Sequence, residues 1–257
     1  MDIIVLLKQV PSTESILQIA GDGRSVKTDD INWVISPYDE FAVEEALRIR
    51  EKQGGTVTLV SVGAAKASEA IRTALAMGAD KGILVNDPAT ASCDGLGIAR
   101  ILATVIRALP YDLIIAGQRA VDDENFLVGA AVAEFLDIPF VSLVIQQEIA
   151  DGSIQCQRTI EGGTAMIQSP LPALFTTQRG LNEPRYASLP GVMKAKKKPI
   201  ETRTLADLGM EAPAPLLRVV AMKLPEMRKA AKIIDAATPQ AKAAELVRIL
   251  HEEAKVI

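Results

Sequence analysis

Length, composition and charge define the class of protein. The 257 residues suffice for one large α/β domain or two small ones, and 49% hydrophobic content is ample for a buried core. The formal net charge of −4 argues against a nucleic-acid-binding protein. Two cysteines and one histidine favour a reducing compartment and predict no metal site. The start of the chain lacks signal-peptide features and no apolar run is long enough to span a bilayer, so we expect a cytoplasmic protein that is not membrane-inserted.

The first half of the chain alternates strand-like and helix-like segments. The predicted strands are apolar runs at 3–10, 56–62, 81–85, 113–116 and 140–144. The predicted helices cover 37–53, 66–77, 95–109 and 126–136. Ser36 before Pro37 marks the start of the first helix, and Gly54 marks its end. Strands that alternate with helices at this spacing indicate an α/β fold with a doubly wound, mostly parallel sheet in three layers.

The pattern changes after residue 144. Alternating runs at 145–149 and 154–160 predict a β-hairpin insertion before another strand at 173–177. A Pro-rich segment at 202–219 then leads to a final amphipathic helix at 238–253. Such a helical arm either docks on its own domain or covers a partner subunit. We therefore divide the chain into an α/β domain at 1–200 and a C-terminal arm at 201–257.

A polar loop follows the fourth predicted strand, at 116–130. Gly117 leaves the strand and polar residues precede a helix, so free backbone N–H groups lie at a helix N-terminus, which attracts phosphate. The chain contains no GxGxxG or Walker motif. The alternative interpretation is that Asp122, Asp123 and Asn125 merely cap the helix.

The stretch LNEPRYASLPGVMKAKKKPI, at 181–200, combines apolar residues with a lysine run. Its three prolines and Gly191 disfavour a buried helix, so we interpret it as an exposed loop at the carboxyl edge of the sheet. In such a loop Leu189, Val192 and Met193 would face water beside lysines. An apolar anchor surrounded by charge suits a partner protein, whereas the alternative is an ordinary solvated lysine run.

This stretch resembles the recognition loop of the β subunit of electron-transferring flavoproteins, which contains LNEPRY and MKAKKK. The blocks AVEEALRIREK and IRTALAMGAD resemble the same family. The resemblance implies an electron carrier subunit rather than a substrate-converting enzyme. It would accept electrons from acyl-CoA dehydrogenases in fatty acid oxidation, through FAD held mainly by an α subunit, and pass them to a membrane quinone oxidoreductase. The C-terminal arm would reach over the α subunit.

The resemblance also assigns residues to partner recognition. Leu189 would anchor the dehydrogenase, and Lys194 and Lys197 match lysines that can be methylated. The implied recognition residues are Tyr186, Leu189, Pro190, Val192, Met193, Lys194 and Lys197. In the hairpin insertion, Arg158, Glu161 and Gly162 would lie near the flavin, although a solvated turn explains them equally well.

The polar loop would bind AMP in this family. The residues assigned to the pocket are Leu6, Ser36, Pro37, Tyr38, Asp39, Val62, Gly117, Gln118, Arg119, Ala120, Val121, Asp122, Asp123, Glu124 and Asn125. Phe126 and Leu127 depart from the family, where these positions are polar, so backbone rather than side-chain contacts to phosphate are expected there.

The identity of the bound nucleotide has alternatives. Members that bifurcate electrons hold a second FAD in this pocket and have glycine where Asp123 stands, so Asp123 favours AMP. A different class, a nucleotide-binding signalling module, is the remaining alternative, but it needs neither the 181–200 stretch nor the last helix.

Overall fold

A computed structural model of the chain describes residues 1–225 and 231–257. Its strands are β1 (Asp2–Leu6), β2 (Gln9–Pro11), β3 (Trp33–Ile35), β4 (Thr56–Val62), β5 (Lys81–Val85), β6 (Leu113–Gly117), β7 (Phe140–Ala150), β8 (Ser153–Ile160), β9 (Gly163–Pro170), β10 (Ala173–Thr177) and β11 (Ile200–Arg203). Its α-helices are α1 (Pro37–Gln53), α2 (Ser68–Met77), α3 (Gly95–Arg107), α4 (Leu127–Leu136), α5 (Leu189–Ala195) and α6 (Pro239–Glu252).

Nine strands form one sheet in the order β11-β5-β4-β1-β6-β10-β7-β8-β9. The strands from β11 to β7 are parallel, and β8 and β9 continue the sheet antiparallel. Alternate residues of β1 face opposite sides: Ile3 and Val5 pack in the core with α1 and α2, and Ile4 and Leu6 pack in the core with α3 and α4. The expected doubly wound, three-layer α/β fold is therefore confirmed.

Helix α1 begins and ends where the sequence predicts. Pro37 occupies its first turn, and the chain reverses at Gly54, whose N–H donates to the Arg50 carbonyl and whose φ is 73°.

The predicted strand at 3–10 is divided into two strands in the structure, because the Lys8 N–H leaves the sheet's hydrogen-bond ladder and donates to the carboxylate of Asp39 at 2.8 Å. The edge strands β9 and β11 were not predicted.

The interpretation of 181–200 as a loop was wrong in its middle, where α5 forms. The hydroxyl of Ser188 accepts the N–H of Gly191 at 3.1 Å and caps this helix. Pro190 lies in the first turn of α5, where backbone N–H groups make no hydrogen bond within the helix. The missing N–H of this proline is therefore compatible with a helix.

The chain divides into two compact units, Met1–Ala221 and Met222–Ile257. The sequence-based boundary at residue 200 coincides with the start of β11, which pairs with β5 in the first unit. The second unit contains α6, whose predicted start is confirmed because Thr238 accepts the N–H of Ala241 at 3.2 Å. Positions 226–230 of the predicted arm lie outside the described residues. Among the residues described, no helix is both long and apolar enough to cross a membrane.

The contact of α5 with α2 leads to a first prediction, the effect of Gly191→Ala. A Cβ at residue 191 would lie 2.4 Å from the carbonyl oxygen of Ala76, which belongs to the backbone and cannot turn aside. We expect overpacking to lower the free energy of unfolding by about 1–3 kcal/mol. Urea unfolding measures the change. Gly21→Ala is the control, since its added Cβ meets no atom within 4 Å. Equal losses in both variants would contradict the prediction.

Candidate functional site

A cavity of about 270 Å³ lies at the carboxyl edge of the sheet, where β1, β4 and β6 end. The chain runs from β1 outward to β4 and β5, and then returns to β6 on the other side of β1. Ligands of open α/β sheets bind at such a reversal of strand order. Val128 and Gly129, in the first turn of α4, line the cavity, so helix N–H groups without intrahelical partners lie beside it.

The structure brings together most of the predicted pocket residues. Those lining the cavity are Leu6, Asp39, Val62, Gly117, Gln118, Arg119, Ala120, Asp123 and Asn125. The remaining predicted residues, which do not line it, are Ser36, Pro37, Tyr38, Val121, Asp122 and Glu124. Tyr38, Asp122 and Glu124 instead contact the side chains of lining residues.

The carboxylate of Asp39 joins the ends of two central strands. One oxygen accepts the N–H of Lys8 at 2.8 Å, after β1, and the other accepts the N–H of Gly117 at 3.0 Å, at the end of β6. Gly117 must be glycine here, because a Cβ would lie 2.3 Å from the Asp39 carboxylate. Burial raises the pKa of Asp39 to about 7, although the two N–H donors oppose this rise.

The side chain of Arg119 lies between two aromatic rings. Its guanidinium carbon is 5.2 Å from the ring centre of Tyr38 and 5.0 Å from that of Phe126. It also donates to the Tyr38 hydroxyl at 3.2 Å and pairs with Glu124 at 3.1 Å. Its buried Nε–H meets no acceptor among the described residues. Phe126, which follows the polar loop, thus packs beside the Arg119 guanidinium.

The start of α1 contributes a second buried polar atom to this region. The hydroxyl oxygen of Ser36 is buried and makes no hydrogen bond within the part of the chain that the structure describes. The Thr177 hydroxyl donates to the carbonyl of Tyr38 at 2.8 Å and holds this turn against β10. The turn that begins α1 is therefore held against β10.

Lys8 is a cavity residue that the sequence analysis missed. Its ammonium group pairs with Asp122 at 2.9 Å and with Asp123 at 3.1 Å, which ties the polar loop to the end of β1. Burial lowers its pKa, but the two carboxylates more than compensate and hold the pKa above its ordinary value. The sequence did contain a signal for this pair. A lysine lies near the end of one central strand, and an acidic loop follows a second strand.

The other lining residues were also not predicted. Asp94 caps α3 by accepting the N–H of Gly97 at 2.9 Å, and the sequence Asp-Gly before an apolar helix was the signal for it. The rest come from neighbouring strands and helices: Leu7, Val60, Cys93, Gly95, Ile98, Leu102, Ala116, Val128 and Gly129.

The predicted recognition residues form a separate exposed surface. Tyr186 is 99% exposed, Leu189 is 84% exposed and Met193 is 63% exposed. The other predicted members of this surface are also exposed: Pro190, Val192, Lys194 and Lys197.

Lys198 does not belong to this free lysine run. Its ammonium group donates to the carbonyls of Leu75 at 3.3 Å and Gly78 at 3.4 Å, and also to that of Ala79, at the end of α2. Arg72 donates in return to the carbonyl of Lys198 at 2.8 Å. Lys198, the last lysine of the run in the sequence, is therefore bound to the protein and is not a cation of the exposed surface.

The fold and the cavity define the class of protein: a doubly wound α/β protein with a ligand-sized cavity at its switch point and an exposed apolar surface beside the sheet.

Comparisons with known proteins identify the family. Residues 24–208 match the family model described as "Electron transfer flavoprotein domain". The chain is 40% identical over 260 residues to "Electron transfer flavoprotein subunit beta" of Bacillus subtilis (strain 168), with 100% of both chains covered. It is 39% identical over 232 residues to the protein of the same name from Homo sapiens, covering 89% of this chain and 90% of the human one. The chain belongs to the β-subunit family of electron transfer flavoproteins, and its function is electron transfer.

The buried carboxyl of Asp39 predicts a pH-dependent stability. Because the pKa of Asp39 is about 7 in the folded protein and its ordinary value is 3.8, the folded protein binds more protons than the unfolded chain between these values. The contribution of Asp39 to the free energy of unfolding is therefore complete below about pH 4 and is lost as the pH rises to about 7.

Asp39→Asn removes this titration. We expect the free energy of unfolding of the wild type, relative to the variant, to fall by about 2–3 kcal/mol between about pH 5 and pH 7. Urea unfolding at a series of pH values measures the difference. A difference that is independent of pH would contradict the assignment.

Proposed function

We propose that this chain is the β subunit of a heterodimer whose FAD is held mainly by an α subunit. The heterodimer takes electrons from acyl-CoA dehydrogenases in fatty acid oxidation and gives them to a membrane quinone oxidoreductase, and it works in the cytoplasm. The relatives' names, which call them subunit beta, support a partner α subunit. When bound, FAD supplies the redox chemistry, while this chain positions the partners. The observation that carries the proposal is the exposed Leu189 on a fixed segment.

The recognition surface has the chemistry of a docking site. Leu189 and Met193 expose apolar side chains in the same short helix, and Lys194, Lys196 and Lys197 around them are exposed cations. A partner with an apolar pocket and an acidic rim fits this arrangement. The apolar anchor would supply most of the affinity, and the lysines would increase the association rate.

AMP is the ligand that we propose for the cavity, with the residues predicted from the sequence. The volume of about 270 Å³ lies just below the range of roughly 300–1,000 Å³ typical of drug-sized ligands. FAD contains AMP joined to a second, flavin-bearing nucleotide, so AMP is the smaller of the two candidate ligands for this cavity. Arg119 lines the cavity, and its buried Nε–H, which has no acceptor among the described residues, supplies a donor for a polar ligand.

The polar loop also argues for the smaller ligand. Lys8 holds Asp123 by an ion pair at the position where the FAD-binding alternative has glycine. A second FAD in place of AMP would require this pair to open. AMP would therefore have a structural role, since a ligand that binds only the folded state stabilises it.

Two further parts of the chain are proposed to meet the α subunit and its flavin. On β8, the buried Nε–H of Arg158 has no acceptor within the described ranges, and we assign Arg158, Glu161 and Gly162 to the face near the FAD. In the second unit, α6 exposes Leu246 and Val247, and we assign the arm at 201–257 to the surface of the α subunit.

Leu189→Ala tests the docking proposal. Truncating a central apolar anchor typically costs at least about 2 kcal/mol, so we expect the KM for a reduced acyl-CoA dehydrogenase to rise roughly 30-fold. Stopped-flow reduction of the heterodimer by the dehydrogenase measures it. Ile16→Ala is the matched control, because Ile16 is 91% exposed but lies outside the recognition surface. Docking by a different surface is indicated if both variants keep the wild-type KM.

A further inference from the structure

The residue before the exposed Tyr186 is bound firmly to α1. The guanidinium of Arg185 donates to Glu44 through Nε at 2.8 Å and Nη2 at 3.2 Å. It also donates to Glu51 through Nη1 at 2.5 Å and Nη2 at 3.2 Å. The backbone N–H of Arg185 reaches Glu44 as well, at 3.1 Å. A single side chain thus connects the segment to two carboxylates on α1.

Neighbouring residues strengthen this attachment. Asn182 donates to the Phe41 carbonyl at 3.0 Å and to the Glu45 carboxylate at 2.8 Å. Arg48 donates to the carbonyl of Glu183 at 3.2 Å. Asn182, Glu183 and Arg185 are therefore held on α1, whereas Tyr186 is almost fully exposed.

The charge balance makes Arg185 necessary for this attachment. Glu44 is only 2% exposed. Burial raises its pKa, but hydrogen bonds from Arg185 and Arg48 outweigh burial and hold the pKa below its usual range, so Glu44 is ionised. A buried carboxylate that loses a cationic partner is strongly unfavourable. Arg48 at 2.6 Å is then the remaining cation at Glu44 among the described residues.

We propose that Arg185 is a positioning residue that presents Tyr186 and Leu189 to the partner protein. This inference rests on the proposed docking function. By binding Glu44 and Glu51, Arg185 orders the segment during folding, so the partner does not have to order it during docking. Without Arg185 the side chain of Leu189 is unchanged, but the approach to α5 is free to move and the affinity falls. The guanidinium is needed because one ammonium group does not bind two carboxylates in this bidentate way.

The experiment uses the heterodimer with two Arg185 variants. Arg185→Met combined with Glu44→Gln removes the guanidinium together with the buried charge that it neutralises, so that the subunit still folds. Arg185→Lys keeps the charge but loses the bidentate geometry. Glu44→Gln alone is the matched control, since the Arg185–Glu51 pair remains. KM and kcat are measured with a reduced acyl-CoA dehydrogenase, and amide hydrogen exchange is followed over residues 181–188.

We expect the double variant to raise KM roughly tenfold with kcat unchanged, and to lose exchange protection in this segment. Arg185→Lys should lie between the wild type and the double variant. An unchanged KM, or unchanged protection of the segment, would overturn the inference.

Leu189→Ala, measured in parallel, separates the two ideas. If Leu189→Ala raises KM while the double variant does not, the proposal that Leu189 docks the partner is supported and the proposed role of Arg185 is wrong. If neither variant raises KM, the docking proposal and this inference both fail.

Discussion

The carboxylate of Asp39 connects the two strand ends between which the cavity lies. It accepts N–H groups after β1 and at the end of β6, and it stands in the first turn of α1. The same helix carries Glu44, Glu45 and Glu51, which hold residues 182–185 along its side. Helix α1 therefore determines the position of both the cavity and the approach to the recognition surface.

Two buried acids on this helix show how their partners decide the protonation state. Among the described residues, Asp39 receives hydrogen bonds from the neutral backbone N–H groups of Lys8 and Gly117, and burial raises its pKa to about 7. Glu44 receives two guanidinium groups, which hold its pKa below the usual range despite burial. Near neutral pH, Asp39 gains or loses a proton while Glu44 stays charged. The cavity end of α1 is thus sensitive to pH, and the end that holds the recognition segment is not.

Local signals allowed much of the fold to be predicted, because they act within a few residues. Ser36, Pro37 and Gly54 mark the ends of α1, and continuous apolar runs mark the parallel strands. The edge strands β9 and β11 gave weaker signals, since edge strands bury fewer side chains. Lys198 could not be assigned from sequence, because its partners at the end of α2 are distant in the chain. Lys8 had a signal, its place near the end of a central strand, but the pairing with the polar loop is also distant in the chain and was missed. The polar loop was predicted as a site from a glycine after a strand and from the family resemblance, and its residues Gly117, Arg119 and Asp123 line the cavity. The contact of Phe126 with Arg119 became visible only in three dimensions.

The most direct test of this account is the nucleotide content of the heterodimer. The chain is produced together with its α subunit, the purified complex is denatured, and the released nucleotides are separated by chromatography and quantified. Since we propose AMP for the cavity, and since Lys8 pairs with Asp123 at the position where the FAD-binding alternative has glycine, we expect equal amounts of FAD and AMP. Twice as much FAD as heterodimer, without AMP, would contradict the account and would mean that this chain holds a flavin of its own.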